Sequence, residues 1–165
     1  MTKAAAQILV KYKKLLSAID ELCEKITKNS GGGITCHKGC SSCCETGISL
    51  YPLEAFNIKE SGAAQTLSEG NERCIFLENG LCLIYDTRPV ICRTHGYPLL
   101  YNGAESLELS LCEKNFTSAN NIDSSLFIDM EKINTILAAL NLEFIRLFPA
   151  YQKKERLNMK EIFKD

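Results

Sequence analysis

The segment CHKGCSSCC, residues 36–44, places four of the chain's nine cysteines within nine positions. Such a density of sulfur indicates disulfide cross-links, a thiol redox switch or a metal site. The segment lacks the hydrophobic period of a helix or a strand, so apolar burial alone does not explain how it folds. The choice among these three chemistries therefore constrains the fold more than any other feature of the sequence.

The N-terminal residues contain too short an apolar run, and no small-residue cleavage site, for a secretory signal peptide. We therefore expect a cytoplasmic protein, and structural disulfides are rare in that reducing compartment. A net charge of −1 predicts no binding to nucleic acid, and the absence of a long apolar run predicts no membrane span. These points favour a metal site over disulfides or a redox switch.

The chain has 165 residues, 45% of them hydrophobic, which predicts a single domain over residues 1–165. Apolar residues at spacings of three and four predict one helix within residues 1–30 and another over residues 128–148. In the first helix the predicted stripe comprises Ile8, Tyr12, Leu15, Ile19, Leu22 and Ile26, and Leu9, Leu16 and Cys23 widen it. The predicted fold class is mainly α with a small β-hairpin. In it, the two long amphipathic helices bracket a metal-centred, cysteine-rich core, residues 36–112.

Shorter elements are predicted between these helices. Pro52 suits the first turn of a helix that runs to about Glu60, and a polar stretch at residues 63–73 follows it. Asn79-Gly80, which lies between two apolar runs, predicts a hairpin. The turn at Pro89 predicts a helical turn that carries Cys92.

The length of the hairpin loop has a consequence for two cysteines. A two-residue loop pairs Leu77 with Cys82 and turns Cys74 to the opposite face. A three-residue loop with a glycine bulge places Cys74 and Cys82 on one face. The register is therefore expected to decide whether this pair can bind one metal ion.

One cysteine differs from the other eight. Cys23 lies on the apolar side of the first helix, where we expect a small buried hydrophobic residue. The predicted metal ligands are Cys36, Cys40, Cys43, Cys44, Cys74, Cys82, Cys92 and Cys112. Four thiolates in tetrahedral array satisfy zinc or an iron–sulfur cluster. Eight therefore make two four-thiolate sites, or one cluster with additional thiols.

The combination of CxxxCxxCC, a Cys-x7-Cys hairpin and YDTRPVICR resembles the YkgJ-type cysteine-cluster family, which is described as a zinc- or iron-chelating domain. The resemblance covers residues 36–112. Its matching residues are Cys36, Cys40, Cys43, Cys44, Cys74, Cys82, Tyr85, Arg88, Pro89, Cys92, Arg93 and Cys112. It implies metal chelation. A related cysteine segment occurs in flagellin lysine N-methylases, which raises an alternative: an iron–sulfur enzyme or subunit connected with protein lysine N-methylation.

The sequence leaves open whether the chain is an enzyme, and it predicts no catalytic residue. The spacing of Cys36, Cys40 and Cys43 matches that of radical S-adenosylmethionine enzymes, but the chain is too short for their large partial barrel. Neither histidine forms a nucleophile–base pair with a cysteine that spacing can identify. His37 and His95 could each replace a thiolate, although we expect both to be solvated. Eight cysteines can close two sites fully, which favours structural metal over catalysis.

Arg88 and Arg93 flank Cys92 and could offset the negative charge of bound thiolates. The alternative is that each forms an ordinary ion pair, for example with Asp86 or Glu113. The function predicted from the sequence is a metal-binding accessory module with structural metal that acts through a protein partner. Zinc is the favoured metal, with iron or an iron–sulfur cluster as the alternative. The oligomeric state stays open.

Overall fold

The computed structural model describes residues 3–45, 47–63, 73–117 and 121–163. In these ranges the helices are α1 (Lys3–Asn29), α2 (Pro52–Glu60), α3 (Val90–Thr94) and α4 (Met130–Leu147). The strands are β1 (Ser49–Leu50), β2 (Leu77–Glu78), β3 (Leu81–Cys82), β4 (Leu99–Asn102), β5 (Leu107–Ser110), β6 (Ile128–Asp129) and β7 (Leu157–Asn158). Most of the polar stretch predicted at residues 63–73 lies outside the described residues.

The prediction of a mainly α fold with some β structure is confirmed. The picture of two long helices that bracket one core is too simple. The described chain has four helices, and it divides into two compact units. Both α1 and α4 contribute residues to each unit, so neither helix is a separate flanking element. Whether the whole chain behaves as a single domain stays a prediction.

The first unit comprises Met1–Lys11, Lys38–Pro89 and Ala138–Asp165. Within it β1 pairs antiparallel with β7, with Ser49 opposite Asn158. The start of α2 is fixed by two side-chain oxygens: Glu54 Oε2 accepts from the Tyr51 N–H at 2.9 Å, and Asn141 Oδ1 accepts from the Leu53 N–H at 3.1 Å. These bonds satisfy N–H groups that the first turn of a helix cannot satisfy itself.

The second unit comprises Tyr12–His37 and Val90–Leu137. Its sheet has the strand order β5-β4-β6, in which β4 is antiparallel to β5 and parallel to β6. The α3 helix, which carries Cys92, leads into β4. The sequence did not predict these strands, because segments of two to four residues have no measurable period.

The buried face of α1 differs in detail from the predicted stripe. Leu22 is 36% exposed and Leu15 is half-buried, whereas Leu16 and Cys23, which were predicted to widen the stripe, are buried as expected. The predicted stripe advanced by seven residues for each two turns, but a straight helix has 3.6 residues per turn and drifts from a seven-residue repeat. The burial of Cys23 confirms its assignment as a small hydrophobic residue. None of the described helices combines the length and the apolar character needed to cross a membrane.

Candidate metal centre

Cys43, Cys44, Cys74 and Cys82 form what we call the first thiol group, and all four belong to the first unit. Residues 44–45 and 73–74 lie side by side, because the Cys74 N–H donates to the Cys44 carbonyl at 3.1 Å and Glu45 forms a β-bridge with Arg73. The Arg73 guanidinium strengthens this pairing with a bond to the Ser41 carbonyl at 3.0 Å. The cysteine segment is therefore held by backbone pairing to the strand region that precedes the hairpin.

The hairpin has the two-residue loop, with Leu77 opposite Cys82. Asn79 and Gly80 both have positive φ angles, 50° and 78°, as the tight Asn-Gly turn requires. The expectation that the register of the hairpin fixes the direction of Cys74 does not apply to this structure. Strand β2 begins only at Leu77, whose N–H bonds back to the Cys74 carbonyl in a turn, so strand alternation does not extend to Cys74.

The thiols of this group influence one another's pKa values. A hydrogen bond with the Cys43 side chain, and then burial, raise the pKa of Cys44, and the charges of Cys43, Cys74 and Cys82 add to this effect. Burial raises the pKa of Cys74, and the neighbouring Cys82 and Cys43 raise it further. Burial likewise raises the pKa of Cys82. In the metal-free protein these thiols therefore hold their protons more tightly than free cysteine does.

Two backbone N–H groups act in the opposite direction. The N–H of Phe76 bonds to Cys74 and that of Ile84 bonds to Cys82, and each lowers the pKa of its cysteine. The donor is in both cases two residues after the cysteine. Such N–H groups stabilise a sulfur that carries negative charge, which is the state of a cysteine bound to metal. The hairpin thus presents two sulfurs with donors already in place.

Met159 is a residue of this site that the sequence did not predict. Its Sδ lies 3.5 Å from Cys74 Sγ, and both residues are buried. The two residues are 85 positions apart, and no spacing in the sequence relates them.

Cys36, Cys92 and Cys112, which we call the second thiol group, belong to the second unit. Buried Asn115 joins the segments that carry them: its Oδ1 accepts from the Thr35 N–H at 2.9 Å, and its Nδ2 donates to the Gly96 carbonyl. The N–H of Asn115 also donates to the Cys112 carbonyl at 2.9 Å. A Cβ atom at Gly96 would lie 3.6 Å from Cys36 Sγ, so the chain passes close to that sulfur.

The remaining predicted site residues are placed as follows. None of the nine cysteines, all of which the structure describes, forms a disulfide bond. Cys40 is half-buried in the first unit, with its Sγ 3.9 Å from Ser42 Oγ. His37 and His95 are exposed, and the Thr35 carbonyl accepts from His37 Nδ1 at 2.8 Å. The exposure of both histidines agrees with the expectation that they are solvated.

The two arginines have different surroundings. Arg88 stacks on the ring of Tyr85, with 3.6 Å between Cζ and the ring centroid, and its charge lowers the pKa of Cys82 against the larger effect of burial. Arg93 is buried, and its Nη1 donates to both carboxylate oxygens of Asp20, with 2.7 Å to Oδ1. The ion pair considered for Arg93 from the sequence involved Asp86 or Glu113, and Asp20 was missed because it lies 73 residues away.

In the ranges that the structure describes, no group of three or more His, Cys, Asp or Glu side chains is arranged so that it could hold a metal ion. The chemistry of the first thiol group suits a soft metal, since it provides four thiols with N–H donors beside two of them. Its sulfurs are neighbours without forming a closed cage.

A comparison with protein families matches residues 35–119, just over half of the chain, to the CxxCxxCC family, described as "Putative zinc- or iron-chelating domain". The chain belongs to the CxxCxxCC family. The resemblance inferred from the sequence is therefore confirmed, and metal binding is supported. In this member the first two cysteines of the motif, Cys36 and Cys40, are separated by three residues instead of two. No curated protein and no solved structure matches the chain.

The CxxCxxCC match contains both thiol groups and Asn115, but it ends before α4 and Met159. The family description names zinc or iron and does not determine which metal is bound. It assigns no enzymatic activity, so membership of the family supports chelation alone.

Proposed function

We propose that this protein is a metal-binding module in which bound metal organises the cysteine-rich segments of both units. The observation that supports this most strongly is the assembly of Cys43, Cys44, Cys74 and Cys82 in one unit, with N–H donors beside Cys74 and Cys82. Metal binding free energy becomes folding free energy when the ligands converge only in the folded chain. The proposed role of the metal is structural.

The eight predicted ligands fall into two sets along the chain. Cys40 and the first thiol group lie in the first unit, and the second thiol group lies in the second. We therefore favour two sites over one large cluster. Convergence on a metal ion requires rotation of the cysteine side chains, each of which has a single torsion between staggered positions. The chain then acts as an accessory module for a protein partner, in the cytoplasm.

Anaerobic purification followed by metal analysis and a visible spectrum tests the proposal. A colourless protein with about two zinc ions per chain, one for the cysteines of each unit, supports it. A brown protein that contains acid-labile sulfide instead supports the alternative, an iron–sulfur enzyme or subunit. Protein that contains no metal after preparation from its native host contradicts both.

Substitutions in each group test the assignment of ligands. Cys44→Ser and Cys82→Ser are expected to remove metal from the first unit, and Cys92→Ser and Cys112→Ser from the second. Cys23→Ser is the matched control, because Cys23 is buried in the second unit as an apolar residue, with its Sγ 3.9 Å from the Arg93 carbonyl. A loss of metal in the control equal to that in the other variants would contradict the ligand assignment.

A further inference from the structure

The contact between Cys74 and Met159 is a buried sulfur–sulfur contact. The Cys74 thiol donates to Met159 Sδ at 3.5 Å, and the residues are 8% and 1% exposed. Met159 lies outside the matched part of the chain, residues 35–119. The thioether therefore belongs to this chain's own surroundings of the cysteine cluster and not to the family motif.

The backbone holds Met159 in this position through three local features. Strand β7, which ends at Asn158, is paired with β1. The Met159 N–H donates to the Ile48 carbonyl at 2.9 Å, and the Asn158 side chain accepts from the Lys160 N–H at 2.9 Å. Backbone hydrogen bonds thus fix the chain on both sides of Met159. The fold, and not only the flexibility of a long side chain, therefore places the thioether beside Cys74.

The distance between the two sulfurs suits a shared metal ion. Two sulfur ligands of one tetrahedral ion lie about 3.8 Å apart when each bond is about 2.3 Å long. The observed 3.5 Å is close to that value. A metal ion that binds Cys74 replaces the thiol proton, which now lies between the two sulfurs. The ion would therefore be within reach of the thioether as well as the thiolate.

We propose that Met159 joins Cys74 as a metal ligand in the first unit, and that this pair lets the unit bind a soft monovalent ion, Cu(I), in addition to zinc. This inference rests on the proposed metal-binding function. Thioethers are uncharged, soft donors that suit Cu(I), whereas zinc sites in proteins use cysteine, histidine and carboxylate ligands. Binding of Cu(I) to Cys74 and Met159 releases the Cys74 proton and changes no oxidation state.

Competition titrations of the full-length, reduced and metal-free protein test the inference. The probes are Cu(I) against a coloured Cu(I) chelator and Zn(II) against a coloured zinc chelator, both without oxygen. Met159→Leu is expected to weaken Cu(I) binding by about tenfold or more while zinc binding stays unchanged. Met130→Leu is the matched control, because Met130 is also buried but lies in the second unit. Leucine conserves the volume of methionine, so both variants are expected to fold.

A second measurement does not depend on a variant that folds. In copper-loaded protein of the natural sequence whose methionines carry selenium, X-ray absorption at the selenium edge is expected to show a copper neighbour, and its absence would overturn the inference. Equal Cu(I) affinity in Met159→Leu and Met130→Leu would overturn the inference, as would parallel losses of copper and zinc binding. If the protein of the natural sequence binds neither copper nor zinc, the proposed metal-binding function itself is refuted. That result differs from the outcomes that overturn only the inference about Met159.

Discussion

Arg88 and Arg156 make a matched pair of arginines within the first unit. Each stacks on a tyrosine ring, Arg88 on Tyr85 and Arg156 on Tyr51, and each donates to a backbone carbonyl. Arg88 also acts on Cys82, whose pKa it lowers. A positive charge beside a thiolate ligand offsets the negative charge of the site, so Arg88 is expected to support metal binding.

The effect of Arg88 on Cys82 gives a prediction for which Arg156 is the internal control. Arg88→Gln is expected to weaken metal binding by about tenfold, because the thiolate of Cys82 loses a neighbouring positive charge. Arg156→Gln removes an equivalent stack, worth about 0.5–1 kcal/mol of stability at exposed sites, and is expected to leave metal affinity unchanged. Metal affinities follow from competition with a chelator. Equal losses in the two variants would show that stacking, not charge, matters at Arg88.

Asp20 and Arg93 provide a second prediction at the level of single residues. The Arg93 side chain is 5% exposed and that of Asp20 is 47% exposed. Asp20→Asn removes a carboxylate that pairs with a buried guanidinium, so we expect the free energy of unfolding to fall by about 1–3 kcal/mol. Metal content is expected to stay unchanged. Urea unfolding and metal analysis of the same samples check both points.

The opposite outcome for Asp20→Asn would also be informative. If metal affinity falls while the free energy of unfolding stays constant, Arg93 acts on the thiolates and its pairing with Asp20 is secondary. Arg93 would then have the charge-offsetting role that the sequence predicted for it.

The elements of this fold differ in how far sequence predicts them. Helices α1, α2 and α4 were predicted because periodic apolar residues, and Pro52 at a first turn, mark them locally. The pairing of β1 with β7 joins Ser49 to Asn158, and two-residue strands carry no period that could reveal it. The hairpin was predicted from Asn79-Gly80, but the position of Cys74 outside its strands was not predicted. That position depends on a turn, which the sequence between Cys74 and Leu77 does not mark.

The hairpin turn yields a prediction about geometry. Gly80 has a φ of 78°, and no atom lies within 4 Å of a Cβ added there, so Gly80→Ala introduces backbone strain without a clash. We expect a loss of about 1 kcal/mol in the free energy of unfolding. Because Cys82 follows two residues later, metal affinity is expected to fall as well. Urea unfolding and chelator competition measure the two effects.

Gly62 supplies the control for this substitution. Its φ is 72° and a Cβ there also meets no atom within 4 Å, but it follows α2 and not the hairpin. Gly62→Ala is expected to lose a similar amount of stability and to keep full metal affinity. If Gly80→Ala keeps full metal affinity too, the geometry of the turn does not control the position of Cys82.

At the scale of the molecule, the division of the cysteines into two groups was beyond sequence analysis. Cys36 and Cys40 are close in the chain, yet Cys36 belongs to the second unit and Cys40 to the first. Spacing alone would assign both to one site. The number of cysteines predicted metal binding, because thiolates are ligands that select soft metal ions. Their partners, Asn115 and Met159, come from distant parts of the chain and could be found only in the fold.

The raised pKa values of Cys44, Cys74 and Cys82 predict how stability depends on pH when no metal is bound. Each folded-state pKa lies above that of the unfolded chain, so the stabilisation is present below about pH 8.5, the ordinary thiol value, and is lost as pH rises. The free energy of unfolding of the metal-free protein is therefore expected to fall as pH rises above about 8.5, and to keep falling until the folded-state thiols themselves lose their protons.

Bound metal is expected to reverse the pH dependence of the free energy of unfolding. Metal ligation requires deprotonated cysteines, so protons compete with metal and the loaded protein loses stability as pH falls. Urea unfolding of reduced protein, with and without metal, measures both slopes under anaerobic conditions. The serine variant of Cys44, Cys74 and Cys82 together should lose the alkaline slope of the metal-free protein. Parallel slopes for the metal-free and metal-loaded forms would mean that these thiols keep their protons in both, and that metal, where bound, is held by other residues.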